Sequence, residues 1–312
     1  MVSDRPPVGL SSRLVLGVIV LVALLIGLNF TVLKFALDHT TPLLLAGMRT
    51  VIGSSALIAL AVARGERFPG RLVDFANIFA VSLSITTLSS ALLVIGVSKV
   101  PAGVASLLAS TMPLFTAALT FLLLGSAISR LGLVGLAIGF GGTVVLASPS
   151  MSGTTATVGI LALAASALAW AFGNVYMKWR DFSRVSPIML VGVQLMMSAA
   201  VLIPVALIVE GTGDTDWSTG LLWPLLYASI PANAVTFALL ATVATRATPT
   251  QAASSAYLIP VFGVTFGALF RSERLGLAEV IGGALVVAGV YLVVTASARQ
   301  ASNPTPEPVE AA

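Results

Sequence analysis

The residues of this chain that could do chemistry are polar side chains kept inside long apolar stretches, because in hydrocarbon each needs a partner or a wet cavity. Arg49 stands about two turns into the second such stretch. A guanidinium there can hold a carboxylate through two parallel hydrogen bonds, or serve as an anchor on helix-end carbonyls. Asn29 and Asn174 are carboxamides that both donate and accept, suited to the polar end of a zwitterion or to gluing two helices. Trp170, one turn before Asn174, and Tyr257, just after Ser254 and Ser255, offer aromatic surface to a solute. Gln194 and Asn233 add neutral amides, and Pro231 beside Asn233 frees a carbonyl that can open a polar pocket. Lys34, Asp74 and Glu273 are candidates for gating or coupling. The simpler roles are snorkelling for Lys34 and capping or pairing with Arg71 for Asp74.

Other chemistry finds no residues. Cysteine is absent and His39 is the single histidine, so no metal site, thiolate or disulfide is expected. No carboxylate pair, nucleotide loop or activated nucleophile shares a plausible pocket, so neither an enzyme nor a cofactor is expected. The glycines at 135, 139, 142, 282, 283 and 289 lack the Gly-Lys-Ser/Thr ending of a phosphate cradle. They suit close helix packing, within one chain or between the subunits of a homodimer.

These residues must be positioned by membrane-spanning helices. Of 312 residues, 57% are hydrophobic and 9% charged, against about a quarter charged in a soluble domain. The mean hydropathy is +1.04. Apolar runs approach the roughly 20 residues that cross a bilayer. The chain is therefore expected to be an all-α polytopic membrane protein in a lipid bilayer. Ten spans are expected, at about 14–35, 42–63, 72–97, 100–124, 131–148, 157–178, 186–209, 220–244, 248–270 and 276–296. Eleven Lys and Arg fall on the side of the termini and four on the other. Both termini are accordingly expected in the cytoplasm. Basic residues at segment ends serve topology, so nucleic acid is not an expected partner.

The two halves match at a nearly constant offset. Pro113 pairs with Pro260, Gly135 with Gly282 and Gly142 with Gly289; Pro42 and Arg49 pair with Pro187 and Gln194. Each half holds five expected spans, and an odd number turns the second copy upside down. The expected segments are a cytoplasmic stretch 1–13, a first repeat 14–148, an inverted second repeat 157–296 and a disordered cytoplasmic tail 297–312. Two inverted-topology repeats of five are characteristic of secondary transporters.

The chain resembles the EamA-type ten-helix exporters of the drug/metabolite transporter superfamily. The resemblance rests on Gly27-Leu28-Asn29-Phe30 with Lys34, Pro42 with Arg49, and Val104 to Leu108 leading to Pro113. In the second half it rests on Trp170 to Asn174 with Lys178, Ala252 to Tyr257 leading to Pro260, and Ser272-Glu273-Arg274-Leu275. One departure is Ser126, where the family usually carries Glu in the first half. The resemblance implies export of amino acids or related small metabolites across the cytoplasmic membrane by alternating access. It leaves proton coupling open, through Asp74 or Glu273. A multidrug or quaternary-cation exporter is the second reading, and a membrane sensor or scaffold a third. The mostly uncharged interior favours a small, possibly zwitterionic solute.

Overall fold

The computed structural model describes residues 12–125, 128–148, 153–243 and 249–302. Among these residues there are helices and turns and no strand. The helices group into ten rods: α1 (Ser12–Leu37), α2 (Pro42–Ala63), α3 (Leu72–Lys99), α4 (Ala102–Leu124) and α5 (Arg130–Ala147), then α6 (Thr154–Trp179), α7 (Pro187–Val209), α8 (Thr219–Val243), α9 (Pro249–Arg271) and α10 (Leu277–Ser302). Nine of them are long and apolar enough to cross a membrane among the described residues. The remaining one, α9, has 23 residues, of which Ala256–Arg271 form its described apolar part. The expected tail boundary at 296 falls inside α10, which continues to Ser302. Ser126 and the rest of the tail lie outside the described residues, as do residues 1–11.

Local chemistry sets the helix starts. Pro42 and Pro187 occupy first turns, where a missing N–H costs nothing. The side chains of Ser129 and Ser186 accept from the backbone N–H of Gly132 and Met189. Three rods are irregular midway. The chain turns at Ser110–Thr111 in α4, just before Pro113 in the next helical turn. In α3 residues Ser82–Leu88, and in α8 residues Ile230–Val235, wind as π-helix. In α8 Pro231 is the cause, and Thr236 answers it by donating its hydroxyl to the Pro231 carbonyl at 3.0 Å.

Short connections make successive rods antiparallel, so the start of α1 and the end of α10 share one end of the bundle. Here it is called the termini end. Glycines let α5 and α10 cross closely and in opposite directions. A Cβ on Gly135 would stand 2.9 Å from the carbonyl oxygen of Gly289, and one on Gly142 would stand 2.9 Å from that of Gly282. These glycines are thus used within one chain, and the helix pair is self-complementary because its equivalent residues meet crosswise. The main buried cluster, including Leu33, Leu45, Val94, Leu108 and Leu163, joins α1, α2, α3, α4 and α6. A second cluster ties α2 to α7.

Candidate substrate cavity

A cavity of about 910 Å³ opens between the rods. Its lining follows one direction. Thr120 lies near the end of α4, Gly132 at the start of α5, and Lys178 at the end of α6. Leu240 lies in the last turn of α8, and Ser297 belongs to the last turns of α10. All of these are at the termini end. Asn29, Arg49 and Pro113 mark the depth of the cavity, midway along their rods or beyond.

The opposite end is stitched shut. The carboxylate of Glu273 accepts from the backbone N–H of Ala102 at 2.7 Å and of Gly103 at 3.0 Å. It thereby caps the exposed donors and the positive dipole end of α4. Glu210 does the same for α2, accepting from Leu43 at 2.9 Å and Leu44 at 3.1 Å. Arg271 donates to Asp38 at 2.6 Å and stacks its guanidinium over Phe35, 5.1 Å from the ring centre. The loop before α8 closes on the loop after α1: Asp216 N–H donates to the His39 carbonyl at 2.8 Å, and the Thr40 and Thr215 hydroxyls are 3.0 Å apart. In that loop Ser218 donates to the Asp216 carboxylate and holds it below its ordinary value, with the His39 hydrogen bond as the second cause.

Five of the sequence candidates line the cavity: Asn29, Arg49, Trp170, Asn174 and Asn233. Arg49 is 7% exposed, and its Nε and Nη1 have no hydrogen-bond partner. The Asn29 Oδ1 is likewise buried without a partner. Each such orphan costs about 1–3 kcal/mol, more for a charged group, unless something else satisfies it. Asn233 owes its place to Gly53: a Cβ there would stand 3.3 Å from the Asn233 amide nitrogen.

The other five fall outside the lining. Gln194 is buried on α7, where its backbone carbonyl accepts from the Ser82 hydroxyl at 2.7 Å and its Nε2 has no partner. The hydroxyl-rich part of α3 is thus a packing surface against α6 and α7, with Ser84 donating to the Ala169 carbonyl and Ser198 to that of Thr86. Tyr257 packs its ring 5.6 Å from that of Tyr291. Lys34 stands at the closed end, within electrostatic reach of Glu273, Asp38 and Arg271. Asp74 lies in the first turn of α3, at the termini end. Glu273 is the cap just described.

Several lining residues were not singled out from sequence. Thr116 and Thr120 follow the break in α4 at helical spacing and satisfy their hydroxyls on the carbonyls of Met112 and Thr116. Their signal was the Pro113 break, which turns this face inward. Phe237 and Leu240 carried none, since an apolar residue in an apolar helix reads the same toward lipid or cavity. The latch at Glu210 was legible only as an acid in a loop.

A bundle of apolar helices around a polar-floored cavity, open at one end and latched at the other, defines a membrane transporter. The EamA-like transporter family model matches residues 13–148 and again 157–295. The chain belongs to that family. It is 31% identical to the uncharacterized transporter YvbV of Bacillus subtilis (strain 168), over 88% of this chain and 89% of that one. It is 28% identical to a probable amino-acid metabolite efflux pump of Escherichia coli (strain K12), over 88% and 93% of the two chains. A solved crystal structure shares the fold with a TM-score of 0.63 at 21% identity, covering 91% of this chain and 98% of its own.

Proposed function

We propose that this protein is a secondary transporter that exports amino acids or related small metabolites across the cytoplasmic membrane by alternating access, with both termini in the cytoplasm. The observation that carries this reading is Arg49: a buried guanidinium with two unpartnered nitrogens on the wall of a cavity that reaches the termini end. Neither of those nitrogens has a hydrogen-bond partner, and no carboxylate among the described residues pairs with the guanidinium, so a carboxylate on the solute is the natural one. The relative named as an amino-acid metabolite efflux pump supports the same solute class.

The closed end, with its capped helices and the Asp38–Arg271 pair, is the outer gate of this inward-open state. Export requires those latches to release as the termini end closes around α4, α6 and α10. The test is counterflow in proteoliposomes with labelled amino acids and one labelled quaternary cation. Saturable exchange of an amino acid or a close carboxylate relative supports the reading. Exchange of the cation alone replaces it with a drug-exporter function.

A further inference from the structure

The transport reading does not fix the charge of the solute; the cavity wall constrains it. Arg49 and Lys178 are the titratable residues in the lining. Lys178 is exposed at the mouth, whereas Arg49 is buried at depth. Every other described lining residue is neutral, and residues 241–255, whose side chains are outside the described ones, contain no Asp or Glu and one cation, Arg246. Among the described residues, the floor of the empty site therefore carries one uncompensated positive charge. Burying such a charge is expensive, and it becomes tolerable when an opposite charge is buried with it.

We infer that the preferred solute is a monocarboxylate whose other hydrogen-bond donor is neutral, such as an N-acyl amino acid or a 2-hydroxy acid, rather than a zwitterionic α-amino acid. This inference rests on the transport reading above. A monoanion on Arg49 leaves the occupied floor neutral. A zwitterion adds an ammonium that no carboxylate among the described lining residues receives, and the occupied floor keeps its net positive charge. The orphan Asn29 Oδ1 accepts one hydrogen bond, which an amide N–H or a hydroxyl supplies without bringing charge. Ile26, Phe30, Leu93 and Phe237 give an apolar wall for an aliphatic or aromatic remainder.

Charge balance over the cycle follows. The loaded site crosses neutral, and the empty site returns with the positive charge of Arg49. One negative charge thus leaves the cytoplasm per turnover. Exchange, which uses only the loaded crossing, does not sense the membrane potential; net transport does.

The experiment uses proteoliposomes of the full chain and three probes of similar shape: N-acetyl-L-leucine (anion), L-leucine (zwitterion) and L-leucinamide (cation). The expected result is counterflow of N-acetyl-L-leucine about tenfold or more above L-leucine, unchanged by a potassium–valinomycin potential. Net uptake of the anion under an inside-positive potential should accumulate about tenfold per roughly 59 mV. Arg49→Gln should abolish anion exchange, and Arg49→Lys should retain part of it. Should Arg49→Gln fail to fold, the potential dependence of the unaltered protein decides. Exchange of L-leucine as fast as the anion, or anion accumulation that ignores the potential, overturns the inference and leaves the transport reading standing. Exchange of L-leucinamide alone, or of no probe, overturns both.

Discussion

Ile203 of α7 fills the notch left by Gly47 of α2, its Cδ1 standing 2.7 Å from where a glycine Cβ would be. The reciprocal contact is also present: Ile58 of α2 fills the notch at Gly192 of α7, its Cγ1 at 2.9 Å from that Cβ position. Gly47 and Gly192 occupy equivalent places in the two halves, and so do Ile58 and Ile203. The α2–α7 pair is therefore self-complementary, like α5–α10. Two such seams join one repeat to the other, while α4, α6 and α8 line the cavity between them.

Arg49 should report function without holding the fold. With Nε and Nη1 unpartnered, replacing it by leucine removes a buried charge and no hydrogen bond from either nitrogen. Arg49→Leu is expected to keep or raise the detergent-solubilised Tm while lowering transport of carboxylates at least about tenfold. A clear fall in Tm would show the side chain to be a structural anchor.

The caps should behave oppositely. Glu273→Ala removes two acceptors from the first turn of α4, and Glu210→Ala two from α2. Each is expected to cost about 1–2 kcal/mol of stability. The double variant is also expected to speed labelling, from the outer face, of a single cysteine placed at Asn29. Unchanged labelling would separate the caps from gating.

Seam glycines differ sharply from exposed ones. Gly282→Ala forces a methyl group onto the backbone of Leu146, whereas a Cβ on Gly141 meets nothing within 4 Å. The first substitution is expected to destabilise by about 1–3 kcal/mol and the second to be nearly neutral. Thermal denaturation of the two purified variants measures this directly.

The loop closure at the latched end should weaken in acid. Hydrogen bonding from Ser218, and then from His39, keeps the Asp216 carboxyl below its ordinary value of 3.8. A depressed carboxylate stabilises the folded loop above that value, and the stabilisation is lost as pH falls through the lowered one. Hydrogen exchange of the Asp216 and Ser218 amides is expected to accelerate below about pH 4, relative to Asp216→Asn, which should lack that component.

Orientation can be read with single cysteines, since the chain has none of its own. Ser183→Cys, between α6 and α7, is expected to be shielded from impermeant reagent in intact cells. Thr212→Cys, between α7 and α8, is expected to react. The reverse pattern would place both termini and the cavity mouth of this state outside.

Long apolar runs, proline starts and the repeat offset made the helical bundle legible, because solvent cost in a bilayer acts on composition and length alone. Arg49, Asn29 and Asn233 were legible as site candidates for the same reason: a polar side chain amid apolar ones announces itself. What remained hidden depended on which face of a helix meets which neighbour. Gln194 and Arg49 hold equivalent places in the repeat. Yet Gln194 lies outside the cavity lining, where its backbone carbonyl accepts from Ser82 and Thr86, and Arg49 lines the cavity beside the room left by Gly53. Glu273 and Glu210 read as charges at span ends, and only the approach of α4 and α2 made them caps. The sequence alone determined that the chain must enter a membrane and which side chains would be expensive there. Tertiary packing decided which of those were placed between helices and which on the cavity wall, because that depends on contacts between residues far apart in the chain.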